Sequence, residues 1–138
     1  MAAVIARQKL DERGWKHVAV ASAGIGAGVG AGAAEDAVHV AAEHGLDLSG
    51  HRSAPLTADL VAWADLILGM TPAHVDGAAR LGGGGRVALV TDFLSGPRAG
   101  LSIDDPYGGG AAAYRAAYDH LAVAVDAILD RLEPILAP

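Results

Sequence analysis

The spacing of apolar residues predicts several amphipathic helices. Residues 2–13 place apolar side chains among charged ones at helical spacing, and Gly14 follows as a helix-ending residue. Thr71 is a suitable cap for a second such helix that runs through Leu81. Further helical patterns cover residues 33–44, 55–64 and 111–132. The last of these is the longest helix that the sequence predicts.

Short apolar runs between these helices predict strands. Residues 65–70 are a continuous apolar run, typical of a strand buried on both faces, and residues 86–90 are a second candidate for a buried strand. The β-branched run at residues 17–21 predicts a third strand, and the glycine-rich residues 24–32 predict a loop. Strands that alternate with helices predict an α/β fold, a doubly wound parallel sheet with helices on both faces.

Length and composition narrow the class of protein. The 138 residues fit one domain, residues 1–138, with enough apolar sequence (52%) for a single core. The net charge of −6 argues against binding nucleic acid. No apolar run is long enough to span a membrane and no signal-peptide core opens the chain, so we expect a cytoplasmic protein.

The residues available for chemistry are restricted further. The chain contains no cysteine, which removes disulfides, thiolate metal sites and thiol nucleophiles. Its six histidines are scattered without a metal-binding spacing, so the sequence predicts no metal site.

Five short segments, each weak alone, occur in a recognisable order. They are Ser-Ala-Gly at residues 22–24, Gly-Leu-Asp-Leu-Ser-Gly-His-Arg-Ser at 45–53, Pro-Leu-Thr at 55–57, Ala-Asp-Leu-Ile-Leu-Gly-Met-Thr at 64–71 with His74, and Asp-Pro-Tyr-Gly-Gly at 105–109. In this order and spacing the chain resembles the low-molecular-weight protein tyrosine phosphatase family. The resemblance implies a three-layer α/β/α phosphotyrosine phosphatase I-like fold, a phosphoprotein substrate and no cofactor.

The resemblance also implies a two-part catalytic site. In the family a Cys-x5-Arg-Ser loop before the first helix binds the phosphate and supplies the nucleophile. An aspartate before proline then protonates the leaving oxygen, and Asp105 matches it, with Asp104 a weaker candidate. Tyr107 matches an aromatic residue at the mouth of the substrate pocket. Ser22 and His51 match polar residues that hold the shape of the nucleophile loop.

Each of these residues also has a simpler interpretation. An aspartate before proline is common in turns, Tyr107 could be an ordinary surface tyrosine, and a histidine after Ser-Gly is often a loop residue. The chain departs from the family at Ala54, where an arginine is usual, which puts the electrostatic role of that position in doubt.

The N-terminal part of the family pattern, the first strand and the nucleophile loop, has no counterpart in this sequence. Residues 1–4 align with a segment that in the family directly follows the nucleophile loop, so we expect the first strand and that loop to be missing. Without cysteine and loop arginine the chain should be catalytically inactive. In the family the first strand lies inside the sheet, so we also expect low stability and self-association through exposed sheet edges.

Three alternatives stay open. The Met70-Thr71-x-x-His74 pattern, with Gly108 after Tyr107 and a following Tyr114, is similar to the bacterial branch that includes protein-arginine phosphatases. A non-catalytic binding module with the same fold is the second. A dinucleotide-binding domain is the third, because residues 26–31 match G-x-G-x-x-A and Asp47 follows at a ribose-binding distance, although no strand precedes Asp47.

Overall fold

The computed structural model describes residues 1–25 and 30–138 of the chain. Within these residues the helices are α1 (Ala2–Arg13), α2 (Glu35–Glu43), α3 (Ala58–Trp63), α4 (Pro72–Ala78) and α5 (Gly110–Leu136). The strands are β1 (Ile67–Gly69) and β2 (Val87–Leu89), and a π turn (Ala79–Gly83) and two 3₁₀ turns (Gly84–Arg86 and Gly96–Arg98) complete the elements.

Helix ends follow the capping residues in the sequence. Gly14 adopts the left-handed conformation that ends α1, with φ 74°, and its N–H donates to the carbonyls of Leu10 and Asp11. Thr71 caps α4 as predicted, because its hydroxyl accepts the N–H of His74. The predicted helix at residues 55–64 begins only at Ala58, since Thr57 is its cap. The helix predicted to reach Leu81 ends as an α-helix at Ala78 and continues as the π turn.

The two strands form a parallel pair, which confirms the α/β class with a parallel sheet. Ile67 lies opposite Val87, and Gly69 lies opposite Leu89. The prediction that these strands are buried on both faces was wrong, because Ile67 and Leu68 are only half-buried. The sheet has two strands in the described residues, so each strand lies at an edge and lacks a neighbour on one side. Self-association through these edges stays a prediction.

The strand predicted at residues 17–21 does not form. A strand needs a neighbour that pairs its backbone, and here the backbone groups find other partners. The carbonyl of Val20 accepts from the guanidinium of Arg7 at 2.8 Å, and the N–H of Val18 donates to the carbonyl of Trp15 at 3.5 Å. Of the predicted loop at residues 24–32, residues 26–29 lie outside the described part of the chain. Gly24 forms an isolated parallel bridge with Pro55.

The main core lies where α5 packs against α1 and α2. Ile5 of α1 and Val40 of α2 have no exposed surface, and both belong to one apolar cluster with Leu121 and Val125 of α5. The cluster also includes Val90, at the end of β2. The packing of these buried apolar side chains fixes the direction of α1 and therefore the position of its N-terminal end.

Charged residues of α5 pair with the neighbouring helices α1 and α2 beside the apolar core. Lys9 of α1 contacts Asp126 at 2.8 Å, and Arg115 binds Glu43 of α2 through two guanidinium nitrogens. This hydrogen-bonded arginine holds the pKa of the Glu43 carboxyl below its usual range. Among the helices of the described residues, none is both long and apolar enough to cross a bilayer.

Candidate functional site

The loop that carries Asp105 follows β2 and is held at the carboxyl end of β1. The carbonyl of Gly69 accepts the N–H of Val90 at 2.8 Å, and the next carbonyl, that of Met70, accepts the N–H of Ile103 at 2.9 Å. The side chain of Ile103 is buried, so a hydrogen bond and an apolar contact fix the same point of the chain. Carboxyl ends of parallel strands are where α/β folds place their binding sites.

Thr91 holds the segment that leads into this loop. Its side chain is fully buried, and its hydroxyl donates to the carbonyl of Leu101 at 2.5 Å. The carbonyl of Thr91 accepts the N–H groups of Leu94 and Gly100 at 3.1 and 3.2 Å. One residue at the end of β2 therefore organises the connection from β2 to the Asp105 loop.

Asp105 and Tyr107 lie together at the tip of the loop. One carboxylate oxygen of Asp105 accepts the N–H of Tyr107 at 3.0 Å, an Asx turn around Pro106. The carboxylate is exposed, and so is the neighbouring Asp104. Tyr107 is 78% exposed, which leaves its ring free to line an open surface. The simpler interpretation of Asp105 as a turn residue thus describes its backbone contact, while its second carboxylate oxygen stays accessible.

Asp105 also acts on the buried Tyr114 at the start of α5. Burial raises the pKa of the Tyr114 phenol, and the negative charges of Asp105 and Asp36 raise it further. The phenol therefore stays protonated at neutral pH.

A second group of predicted residues meets at the N-terminal end of α1. Ser22 and His51 both line a cavity of about 210 Å³ there, together with Met1, Val4 and Leu48. Arg7 and Asp47 also line it. The first backbone N–H groups of a helix have no partner within the helix and give this end a partial positive charge.

One long-range hydrogen bond and one hydrogen-bonded turn shape this cavity. Arg7 holds the chain before Ser22 through its bond to Val20. The carboxylate of Asp47 accepts from the N–H and the hydroxyl of Ser49, and these bonds hold the pKa of that carboxyl below its usual range. Asp47 therefore has a local structural role, and it follows α2 rather than a strand, unlike the ribose-binding acid of a dinucleotide site.

The structure thus brings the predicted residues together in two pairs. Ser22 and His51 share the cavity, and Asp105 and Tyr107 share the loop, but neither member of the second pair lines that cavity. Among the described residues no cluster of histidine and acidic side chains could hold a metal ion. The chemistry present is an exposed carboxylate and a polar cavity at a helix start.

Comparison with known proteins identifies this arrangement. Residues 1–135 match the family described as low molecular weight phosphotyrosine protein phosphatase. The chain belongs to this family. It is 38% identical over 137 residues to the probable low molecular weight protein-tyrosine-phosphatase EpsP of Ralstonia nicotianae, covering 98% of this chain and 88% of the relative.

Solved structures of the family agree with the fold. The YwlE arginine phosphatase from Geobacillus stearothermophilus superposes with a TM-score of 0.85 and 31% identity, over 96% of this chain and 83% of that chain. The tyrosine phosphatase Wzb from Escherichia coli K30, in complex with sulphate, superposes with a TM-score of 0.82 and 29% identity, over 95% and 87% of the two chains. Family membership replaces the dinucleotide-binding alternative, whose residues 26–29 lie outside the described part of the chain.

One family motif has a clear structural role. The N–H of Met70 donates to Nδ1 of His74 at 3.2 Å, while the hydroxyl of Thr71 accepts the N–H of His74 at 3.4 Å. This reciprocal pair resembles a capping box and fixes the start of α4 against the end of β1. The Met-Thr-x-x-His spacing, which suggested a branch of the family, therefore also serves helix capping.

Sequence reasoning missed three residues that hold the site. Thr91 follows the apolar residues 87–90 and is itself buried, and a polar residue directly after such a run was the available signal. Arg7 lies one helical turn after Ala3 and so shares its face of α1. Ile103 carried no signal beyond being an isolated apolar residue before two aspartates.

Replacing Thr91 should loosen the Asp105 loop. Thr91→Val keeps the shape of the side chain but removes the donor to the Leu101 carbonyl, so we expect a loss of about 1–3 kcal/mol in the free energy of unfolding. We also expect changed amide shifts from Leu101 to Asp105. Urea unfolding and two-dimensional NMR measure both. Thr91→Ser keeps the hydroxyl and is the matched control; a Thr91→Val protein as stable as the parent, with Thr91→Ser less stable, would show that the methyl group matters and the hydrogen bond does not.

Proposed function

We propose that this chain carries the acid-bearing part of a phosphoprotein phosphatase site, with Asp105 as its general acid. The family match over residues 1–135 is the observation that carries the proposal. The accessible carboxylate of Asp105, on a loop fixed at the carboxyl end of β1, supports that role. We further propose that residues 1–138 act as one domain and that the protein works in the cytoplasm.

The other predicted residues receive supporting roles in this proposal. Tyr107, with its exposed ring next to Asp105, would form a wall against the aromatic or guanidinium group that carries the phosphate. Ser22 and His51 would hydrogen-bond a Cys-x5-Arg loop placed at the N-terminal end of α1. Their shared position in the cavity at that end supports this assignment.

Two phosphorylated side chains are candidate substrates. Phosphotyrosine comes first, because the family description and the Ralstonia relative both name it. Phosphoarginine is the second, and the YwlE relative is named for it. Gly108 follows Tyr107 with φ 82°, so the wall beside the ring carries no second side chain there, which suits the larger opening that we attribute to the arginine-directed branch.

The 138-residue polypeptide should not hydrolyse an aryl phosphate. It contains no cysteine, and so no thiol can accept the phosphoryl group as the family reaction requires. Turnover of p-nitrophenyl phosphate by highly purified protein should equal the buffer rate. A rate above buffer that disappears in Asp105→Ala would show that the chain catalyses without a thiol. The absence of turnover together with retained binding of a phosphopeptide would favour the non-catalytic module.

A Cys-x5-Arg-Ser segment placed before Met1, with the strand that precedes it in the family, should give an enzyme that depends on Asp105. In this fusion Asp105→Asn should lower kcat about 10²–10⁴-fold while KM changes less, because the acid acts on the leaving group. The loss should shrink with a leaving group that is already a stable anion.

Asp104→Asn is the matched control, since it removes the neighbouring exposed carboxylate and leaves the Asx turn of Asp105 intact. If Asp104→Asn abolishes turnover while Asp105→Asn does not, the acid is the earlier aspartate.

A further inference from the structure

An open groove lies between α4 and the outer edge of β2. Its floor consists of the half-buried side chains of Val75, Val87 and Leu89, and its volume is about 220 Å³. It shares no lining residue with the cavity at the start of α1. In the described residues β2 pairs only with β1, so this side of the sheet has no covering strand.

Two carboxylates border this apolar floor. Asp76 of α4 and Asp92 after β2 both line the groove, and none of its lining residues is basic. Within residues 1–25 and 30–138, neither aspartate forms an ion pair, and the carboxylate of Asp76 also accepts no hydrogen bond. The groove therefore combines apolar surface with two negative charges that nothing in the described chain neutralises.

The backbone of β2 limits what can bind there. The N–H of Val90 donates to Gly69 of β1, so the alternate residues Val87 and Leu89 direct their backbone groups outward. At Leu89 these groups are already used: its N–H donates to the carboxylate of Asp92 at 2.9 Å, and its carbonyl accepts the N–H of Asp92 at 3.0 Å. Asp92 thus closes the edge at Leu89, and a long strand cannot add along β2.

We propose that this groove binds an extended basic segment of a partner protein. A lysine or arginine of that segment lays its methylene stem on Val75 and Leu89 and directs its cation to Asp76 and Asp92. A purely apolar partner would cover both carboxylates without pairing them, which is costly, and an acidic partner would be repelled. The net charge of −6 draws the same basic segment to the protein from a distance.

The probe is a fluorescein-labelled peptide of eight residues that alternates lysine and valine. Its anisotropy is titrated with the 138-residue protein at low salt, and amide shifts locate the bound peptide. We expect binding that weakens as salt rises and shifts centred on Val75, Val87 and Leu89. A peptide that alternates glutamate and valine should not bind, and one that alternates lysine and serine should bind several-fold more weakly because it lacks apolar side chains.

Charge-removing variants separate this groove from general attraction to an acidic protein. Asp76→Asn and Asp92→Asn should each weaken binding about two- to fivefold. Asp92→Asn keeps an oxygen that can accept the N–H of Leu89, so the strand edge stays closed. Asp59→Asn removes an exposed carboxylate of α3 and is the control, expected to change binding less than the groove variants. No binding, equal losses in all three variants, or shifts confined to β1 would overturn the proposal.

Discussion

Two successive backbone carbonyls at the end of β1 determine how the rest of this structure is arranged. Gly69 binds the end of β2 through Val90, and Met70 binds Ile103 at the start of the Asp105 loop. The N–H of Met70 meanwhile binds His74 and so fixes the start of α4. The end of β2, the Asp105 loop and the start of α4 are therefore all held at one point of the sheet, because buried backbone groups must be hydrogen-bonded.

The helices supply the stability that so short a sheet lacks. Two strands of three residues cannot bury much surface by themselves, and their side chains are only half-buried. Helix α5 instead buries one face against α1 and α2, and the cluster reaches Val90 at the end of β2. The cavity at the start of α1 and the Asp105 loop thus depend on one apolar core, although neither Asp105 nor Tyr107 lines the cavity.

The sequence predicted those parts of the fold that local chemistry decides. The bounds of α1 follow from its pattern and Gly14, and the start of α4 follows from Thr71, since caps act within one turn. The strand at residues 17–21 failed because a strand depends on a partner elsewhere in the chain, which its own β-branched residues do not reveal. Arg86 shows the same limit: it reads as the start of a strand, but its guanidinium binds the carbonyls of Val61 and Ala64 at the end of α3.

The candidate site divides in the same way. Motif order identified Ser22, His51, Asp105 and Tyr107, and the structure pairs them as neighbours in two places. Motif order did not identify Thr91 or Ile103, because their roles come from hydrogen bonds to residues that are distant in the sequence. The resemblance named the residues of the site, while these long-range bonds explain how the Asp105 loop is held.

Native-state hydrogen exchange at the amides of Val90 and Ile103 tests most directly whether the end of β1 holds the site. Both amides should exchange only through openings that cost a large share of the global unfolding free energy, and Thr91→Val should speed exchange at Ile103 more than at Val90. The exposed amide of Gly108 in the same loop provides the unprotected reference. Exchange at Ile103 as fast as at Gly108 would contradict the account, because the Asp105 loop would then not be fixed to β1.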